Sequence, residues 1–311
     1  MIFEQGLDSI TRNDHSVVTV GTFDGVHLGH RKIICDLIDR AQQYKGLSTV
    51  ITFDPHPREV LLQEKLTKLT TIQERASILS SLGLDRLVVV PFTQEFSQIS
   101  PERFVTEFLF EAIGLQSIVI GYDHRFGKDR KGDINLLNSL GQRLDFSVRE
   151  IAPHVEDGGV VSSRAIRNLL HKHGDIVQAT KLLTYPYTLT GTVITGDGRG
   201  RELGYPTANI RLIDPDKVIP AHGIYVVHVD VSGIKRGGIM SIGTRPTILD
   251  SKGVHLEVNI LDFSESIYGQ ELTVYFIKKI RDQQHFDTLD ELRIAMIGDE
   301  EISREILEHS K

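Results

Sequence analysis

Near residue 185 the spacing of apolar residues changes, and that change constrains the fold more than any other feature of the chain. Before it, short apolar runs alternate with longer stretches whose apolar residues recur three and four apart. The short runs are Val17 to Val20, Thr49 to Ile51, Leu87 to Val90, Ile118 to Ile120 and Phe146 to Val148. They are brief, rich in β-branched residues and followed by Gly, Pro or Asp, which reads as buried strands. Between them, Arg31 to Tyr44, Thr71 to Leu82, Pro101 to Ile113 and Gly132 to Leu144 carry helical spacing, and Pro101 suits a first helical turn. Strands that take turns with helices predict an α/β domain, a parallel sheet wrapped by helices, with ligands beyond the carboxyl ends of its strands.

Past Tyr185-Pro186-Tyr187 the runs Leu189 to Ile194, Ile224 to Val231, Gly238 to Ile242, His255 to Leu261 and Leu272 to Ile280 are separated by turns rich in Gly, Pro and Asp. That pattern predicts an antiparallel β-barrel. After an Asp287-Thr288 start signal, Leu289, Leu292, Ile294, Ala295, Ile302, Ile306 and Leu307 return to helical spacing, so C-terminal helices are expected. The boundary is placed to give domains of residues 1–184 and 185–311.

Composition narrows the partners. With 42 acidic residues against 35 Lys and Arg the formal charge is -7, which leaves no basic footprint for a polynucleotide. Nucleic acid is therefore not an expected partner. The lone Cys35 excludes an intrachain disulfide and a cysteine-based zinc site, and it fits a reducing cytoplasm. Met1 to His15 holds Glu4, Asp8 and Asp14 and lacks a basic start followed by an apolar core, so no secretory signal is expected. No apolar run is long enough to cross a bilayer, and no membrane partner is expected. The oligomeric state stays open.

The loop after the first predicted strand reads Gly21-Thr22-Phe23-Asp24-Gly25-Val26-His27-Leu28-Gly29-His30 and leads into a helix. Its glycines allow a tight turn, while the free amides and positive dipole of a helix start favour an anion. His27 and His30 are three apart and share a helical face, where two imidazoles can donate hydrogen bonds to a phosphate during transfer. Two surface histidines after a glycine turn would look the same in isolation. Zinc ranks low, because no Cys or carboxylate stands at ligand spacing beside the pair. Three more segments follow predicted strands or open a helix: Phe53-Asp54-Pro55-His56-Pro57-Arg58, a stiff loop bearing His56; the loop from Gly121 to Asp133, which carries Asp123 and is rich in Gly and cations; and Val161-Ser162-Ser163-Arg164-Ala165-Ile166-Arg167. Serines there cap a helix, or together with Arg167 clamp a triphosphate.

These motifs, in this order, resemble the adenylyltransferase module of bacterial bifunctional riboflavin kinase/FAD synthetases, which belongs to the nucleotidyltransferases with a His-x-Gly-His signature, and the resemblance implies that the α/β domain is doubly wound. The resemblance implies that ATP lies against His27 and His30, with Gly21, Phe23, Asp24, Gly25, His56, Asp123, Ser162, Ser163 and Arg167 lining the nucleotide and flavin site. The phosphate of FMN would attack the α-phosphate of ATP, forming FAD and releasing pyrophosphate. Arg164 stands where that family usually has Thr. Aminoacyl-tRNA synthetases carry a similar histidine signature, but the lysine-rich loop they also need is missing here.

The second half has no Gly-x-x-x-x-Gly-Lys-Ser/Thr and hence no standard P-loop. It offers Gly198-Arg199-Gly200-Arg201, where backbone amides and guanidinium groups can fold around phosphates. Thr207 and Asn209 follow, two apart and so on one face of an extended segment, both with neutral oxygens suited to Mg2+. A base for an alcohol is needed, and Glu257, within a strand, is expected to point into the barrel mouth; an exposed strand carboxylate is the plain alternative. The set resembles the riboflavin kinase module of the same family, joined by Ser241 to Thr247, Leu261-Asp262-Phe263 and Ile267-Tyr268-Gly269. The resemblance implies that Thr207 and Asn209 position magnesium-ATP, that Glu257 helps deprotonate the ribityl 5'-hydroxyl of riboflavin, and that Arg281 lies close to the flavin. Ser241 stands where the family often has Asn, and it is assigned no role. The reading is thus a cytoplasmic enzyme making FMN and then FAD with ATP and Mg2+. A kinase that has lost adenylyl transfer and a flavin-binding regulator are the alternatives.

Overall fold

The structure, a computed structural model, describes residues 1–156, 159–196, 204–244 and 253–309. The chain divides into two compact units, Met1–Ser163 and Arg164–Lys311.

In the first unit, strands β1 (Ile2–Gln5), β2 (Ser16–Val20), β3 (Leu47–Phe53), β4 (Arg86–Val90), β5 (Leu115–Gly121) and β6 (Ser147–Ile151) form one sheet in the order β1-β4-β3-β2-β5-β6. Every neighbouring pair is parallel. Period-two alternation splits the buried strand residues between two cores. Val17, Val50, Leu87, Val89 and Val119 face Ile34, Leu37, Ala41 and Leu79. Val18, Val20, Ile51, Val88, Ile118 and Ile120 face Phe104, Val105, Phe108 and Leu109. Helices on both faces make the sheet doubly wound.

The helices are α1 (Leu28–Tyr44), α2 (Pro57–Leu62), α3 (Ile72–Ser81), α4 (Gln94–Ser97), α5 (Pro101–Arg103) and α6 (Ile134–Leu144). The helix expected over 101–113 continues from α5 as π-helical turns over Phe104–Ile113, and Gly114, at φ 89°, ends it. Such turns widen the backbone and favour positions under local demand; here Phe104 and Phe108 both enter the core. The edge strand β1 was not anticipated. It is fixed by the buried pair of Arg86, whose Nε donates to Glu4 at 2.8 Å. A small hairpin, β7 (Val155–Glu156) with β8 (Gly159–Val160), closes the unit.

The second unit receives the chain through α7 (Ser163–Asn168), π-helical turns over Leu169–His173 and α8 (Ile176–Leu183). Its six strands, β9 (Thr188–Ile194), β10 (Thr207–Leu212), β11 (Gly223–Val231), β12 (Ile234–Gly243), β13 (His255–Ile260) and β14 (Glu271–Arg281), close a barrel in the order β10-β13-β12-β11-β14-β9. All of its pairings are antiparallel. Leu189, Val193, Ile210, Tyr225, Val227, Met240, Val258, Val274 and Phe276 are buried on one alternation and fill it. Helix α9 (Leu289–Glu308), started by a Thr288/Glu291 capping box, lays Leu307 against Val226 and Leu261.

Candidate active sites

The sheet order reverses between β2 and β5, so the crevice beyond their carboxyl ends is the switch point where ligands bind in such folds. The loop from Gly21 to His27 leaves β2 at that edge. Three of its residues take left-handed conformations, Phe23 (φ 47°), Gly25 (φ 80°) and Val26 (φ 37°). For Phe and Val this is strained backbone, which persists only when its surroundings enforce it.

Asp24 supplies much of that enforcement. Its buried carboxylate accepts from Leu69 N at 2.9 Å, from Thr70 N at 3.0 Å and from the Thr70 hydroxyl at 3.3 Å, with Arg75 at 3.7 Å as counter-ion. Gly25 N donates to Thr70 Oγ1 at 3.0 Å. Thus the Asp24 side chain braces the loop against residues 69–75, and the backbone is left to line the crevice.

His27 is the N-cap of α1: its Nδ1 accepts from His30 N at 3.4 Å. An accepting Nδ1 leaves the proton on Nε2. The His27 and His30 rings stack with centroids 3.7 Å apart and 17° between planes, and Phe23 packs 5.0 Å from His30. Burial drives the pKa of His27 down to about 4 against the opposing pull of Asp24. Burial, then His27 and Arg75, hold His30 well below the ordinary histidine range. At neutral pH both rings are uncharged and offer N–H groups at a helix start. A Cβ at Gly29 would stand 3.3 Å from the His27 ring, so only a glycine leaves the pair undisturbed.

The serine motif joins this loop directly, since Ser163 Oγ donates to the Asp24 carbonyl at 2.8 Å. Ser162 precedes it, and Arg167 follows one turn along α7. His56 caps α2, with Nδ1 accepting from Arg58 N at 3.1 Å and its own N–H donating to Glu59 at 3.0 Å. Asp123 is exposed on the loop after β5. These two lie on loops of the same sheet edge. Sequence reading missed Thr52, Thr70 and Arg75, for which no motif signals a role. It also missed a cluster at this edge in which Phe53, Phe92 and Phe96 meet at 5.4 to 5.9 Å.

In the barrel, Asn209 pairs with Glu257 and Thr207 with Asn259 across β10 and β13, while Ser241 on β12 pairs with Glu257. Directly opposed residues share a face. Thr207, Asn209, Ser241, Glu257 and Asn259 therefore form one polar patch. The Thr207 hydroxyl donates to Glu257 Oε2 at 3.3 Å, and Asn259 Nδ2 donates to the Pro206 carbonyl at 2.8 Å. This patch is outside the barrel: the alternate residues Leu256, Val258 and Ile260 are buried within it. The expectation that Glu257 points into the mouth is corrected accordingly. Its face is covered by α9, and between them lies a cavity of about 230 Å³ lined by Thr207, Ser241, Glu257, Arg281, Leu292 and Met296, among others.

Arg281 ends β14 on the same cavity. Its guanidinium grips Asp299 of α9 in a bidentate pair, at 2.8 and 2.7 Å, and both side chains are largely buried. Gly196 is fitted to Asn209, because a Cβ there would fall 2.0 Å from the Asn209 amide. Thr207 borders a second cavity of about 480 Å³ on the other side of β10, with Val193, Ala208, Val258, Phe263 and Tyr268. Gly198, Arg199, Gly200 and Arg201 lie outside the described residues, as do Arg245, Pro246 and Thr247 of the loop that starts at Ser241.

Thr207, Asn209 and Glu257 together present hard oxygen donors from neighbouring strands, a set that fits Mg2+. Among the described residues no group of three or more His, Cys, Asp and Glu could hold a metal by itself, so further ligands would come from phosphate and water. No helix among them is long and apolar enough to cross a membrane.

Comparison with known proteins gives both halves a family. Residues 9–165 match the FAD synthetase family model and residues 183–307 the riboflavin kinase model. The bifunctional riboflavin kinase/FMN adenylyltransferase of Pseudomonas fluorescens is 38% identical over 91% of this chain and 90% of its own length. That of Listeria monocytogenes is 38% identical over 93% and 92%, and that of Escherichia coli 35% identical over 93% and 92%. A crystal structure described as a macrolide-efflux protein from Streptococcus pneumoniae superimposes with a TM-score of 0.87 at 32% identity, covering 98% of this chain and 99% of that one. With two family models in tandem and relatives aligned over nearly their full length, the chain belongs to the bifunctional riboflavin kinase/FMN adenylyltransferase family.

Proposed function

We propose that the two constellations carry the two steps of flavin cofactor synthesis, with residues 1–184 performing adenylyl transfer and residues 185–311 the kinase step. The chain phosphorylates riboflavin to FMN with ATP and then transfers an adenylyl group from a second ATP to FMN, giving FAD and pyrophosphate. The observation that carries the residue-level reading is the existence of two separate sites. One is a helix start capped by His27 at a sheet switch point, and the other is a strand carboxylate, Glu257, bonded to Thr207 and opposite Asn209.

For adenylyl transfer, the triphosphate of ATP lies across the amino end of α1, where His27 and His30 donate hydrogen bonds to its oxygens. An FMN phosphate oxygen attacks the α-phosphorus, and the bond to pyrophosphate breaks. Because both imidazoles are neutral, they act by donation aimed at the charge that develops, without a net charge of their own. Ser162, Ser163 and Arg167 extend the grip along α7, with Gly21, Gly25, His56 and Asp123 around it. The half-buried rings of Phe53, Phe92 and Phe96 suit a flat aromatic substrate at the same edge.

For the kinase step, Glu257 accepts the proton of the ribityl 5'-hydroxyl as that oxygen attacks the γ-phosphorus, and ADP leaves. Thr207 and Asn209 would hold Mg2+, whose chemistry is to neutralise phosphate charge. Gly198 to Arg201 would cradle the phosphates. Arg281, held by Asp299, lines the cavity that would take the substrate. The reading places the enzyme in the cytoplasm, with small-molecule substrates and neither a nucleic acid nor a membrane as partner.

Purified protein incubated with riboflavin and ATP, with and without Mg2+, and resolved by chromatography tests this. FAD that forms by way of FMN and requires Mg2+ supports the reading. FMN as the sole product would remove the role of the histidine site. Fragments 1–184 and 185–311, assayed apart and mixed, test the division of labour: activity that needs the mixture would contradict it.

A further inference from the structure

The strained histidine loop is held by a set of bonds that converge on one buried cation. Arg75 is 5% exposed on α3. Its Nη1 donates to Thr52 Oγ1 at 3.1 Å, and its Nη2 donates to the Thr70 carbonyl at 3.3 Å and stands 3.7 Å from Asp24. Each partner touches the loop in turn. The Thr52 hydroxyl donates to the Thr22 carbonyl at 3.1 Å, Thr70 Oγ1 receives Gly25 N, and Asp24 is in the loop itself. One planar fork thus ties β3, the 69–70 segment and the turn before His27 together, a task its fixed geometry suits and a lysine's single nitrogen does not.

We propose that Arg75 is a positioning residue for adenylyl transfer, setting the His27/His30 loop through Thr52, Thr70 and Asp24 while balancing the Asp24 charge beside the histidines. This rests on the reading of the first unit as an adenylyltransferase. The groups facing the pair are Asp24 from the loop, Arg75 from α3 and His154 from the segment after β6. Asp24 favours protonated His27, whereas Arg75 disfavours protonated His30. Protonation of His27 at Nδ1 would abolish its acceptance from His30 N and release the cap. Without the Arg75 charge the His30 ring gains a proton more readily, so the site should fail at a higher pH.

The test is the pH profile of FMN-to-FAD turnover by the full-length chain as wild type, Arg75→Met and Arg75→Lys, with riboflavin phosphorylation measured on the same preparations. Arg75→Met should lower kcat for adenylyl transfer about a hundredfold, the scale of a lost preorganising group. It should also move the acid limb to higher pH, with phosphorylation nearly unchanged. Arg75→Lys, which keeps the charge but not the fork, should lose about tenfold in kcat and keep the wild-type acid limb. An unmoved limb in Arg75→Met, or kcat within about threefold of wild type, overturns the proposal. Should Arg75→Met fail to fold by circular dichroism, Arg75→Lys decides: an unshifted limb with reduced kcat supports the proposal, and a shifted limb or full kcat overturns it. Wild-type protein that makes no FAD would instead defeat the adenylyltransferase reading, so the two failures are distinguishable.

Discussion

Acidification should destabilise the first unit through its buried histidines, and His27 allows the effect to be worked out. Its pKa falls from the ordinary 6.5 to about 4 in the folded chain, first because burial removes its water. A depressed histidine pKa means that the unfolded chain binds the proton first. The contribution to stability is therefore full above pH 6.5 and is lost as pH falls toward 4. The full gap corresponds to roughly 3 kcal/mol, of which about 2 kcal/mol should appear between about pH 7 and about pH 5. With His27 only 4% exposed, solvent screening removes little of this. His27→Asn keeps an acceptor at the N-cap and removes the titration. Urea unfolding of the full chain, followed at the amide signals of Val17, Val18 and Val20 in β2, should show wild type losing about 2 kcal/mol more than the variant over that range. His30 and His124, also lowered by burial, titrate in both proteins and largely cancel in the difference. Equal pH slopes in the two proteins would refute the reasoning.

Three further outcomes follow from the packing. Gly196→Ala places a methyl group where the Asn209 amide stands, so riboflavin phosphorylation should fall at least about tenfold, with FMN adenylylation unaffected in the same preparation. Asp299→Asn leaves the half-buried Arg281 without its counter-ion and should cost the barrel unit about 1–3 kcal/mol, read by urea unfolding at α9 amides. Arg167→Ala should impair FAD formation severely, whereas Arg164→Ala, at an exposed position, should change it by less than about tenfold, as turnover and the KM for ATP will show.

Periodicity alone located five of the six strands of the parallel sheet, because β2 to β5 are largely buried on both faces and so are nearly continuous apolar runs, while β6 is announced only by Phe146 and Val148 at its start. It missed β1, whose four residues alternate no apolar pattern and are held by Arg86 from another strand. It missed β10 as a barrel strand for a related reason: Thr207, Asn209 and Arg211 make one face polar and break up the apolar run. The orientation of Glu257 was within reach of the sequence. In Leu256-Glu257-Val258-Asn259-Ile260 the apolar residues belong inside a closed barrel, which puts Glu257 and Asn259 outside, toward α9. The helix-start histidines were legible because capping is local. Arg75 was not, since its importance arises from four segments that only the fold brings together.

The central claim, that two independent sites act in series, is tested most directly by following riboflavin, FMN and FAD over time with His30→Ala and Glu257→Gln beside wild type. His30→Ala should accumulate FMN at a nearly normal rate and form FAD about a hundredfold more slowly or worse. Glu257→Gln should lose FMN formation by about the same factor while still converting added FMN to FAD. Loss of both activities in either variant, or near-normal phosphorylation in Glu257→Gln, would contradict the account.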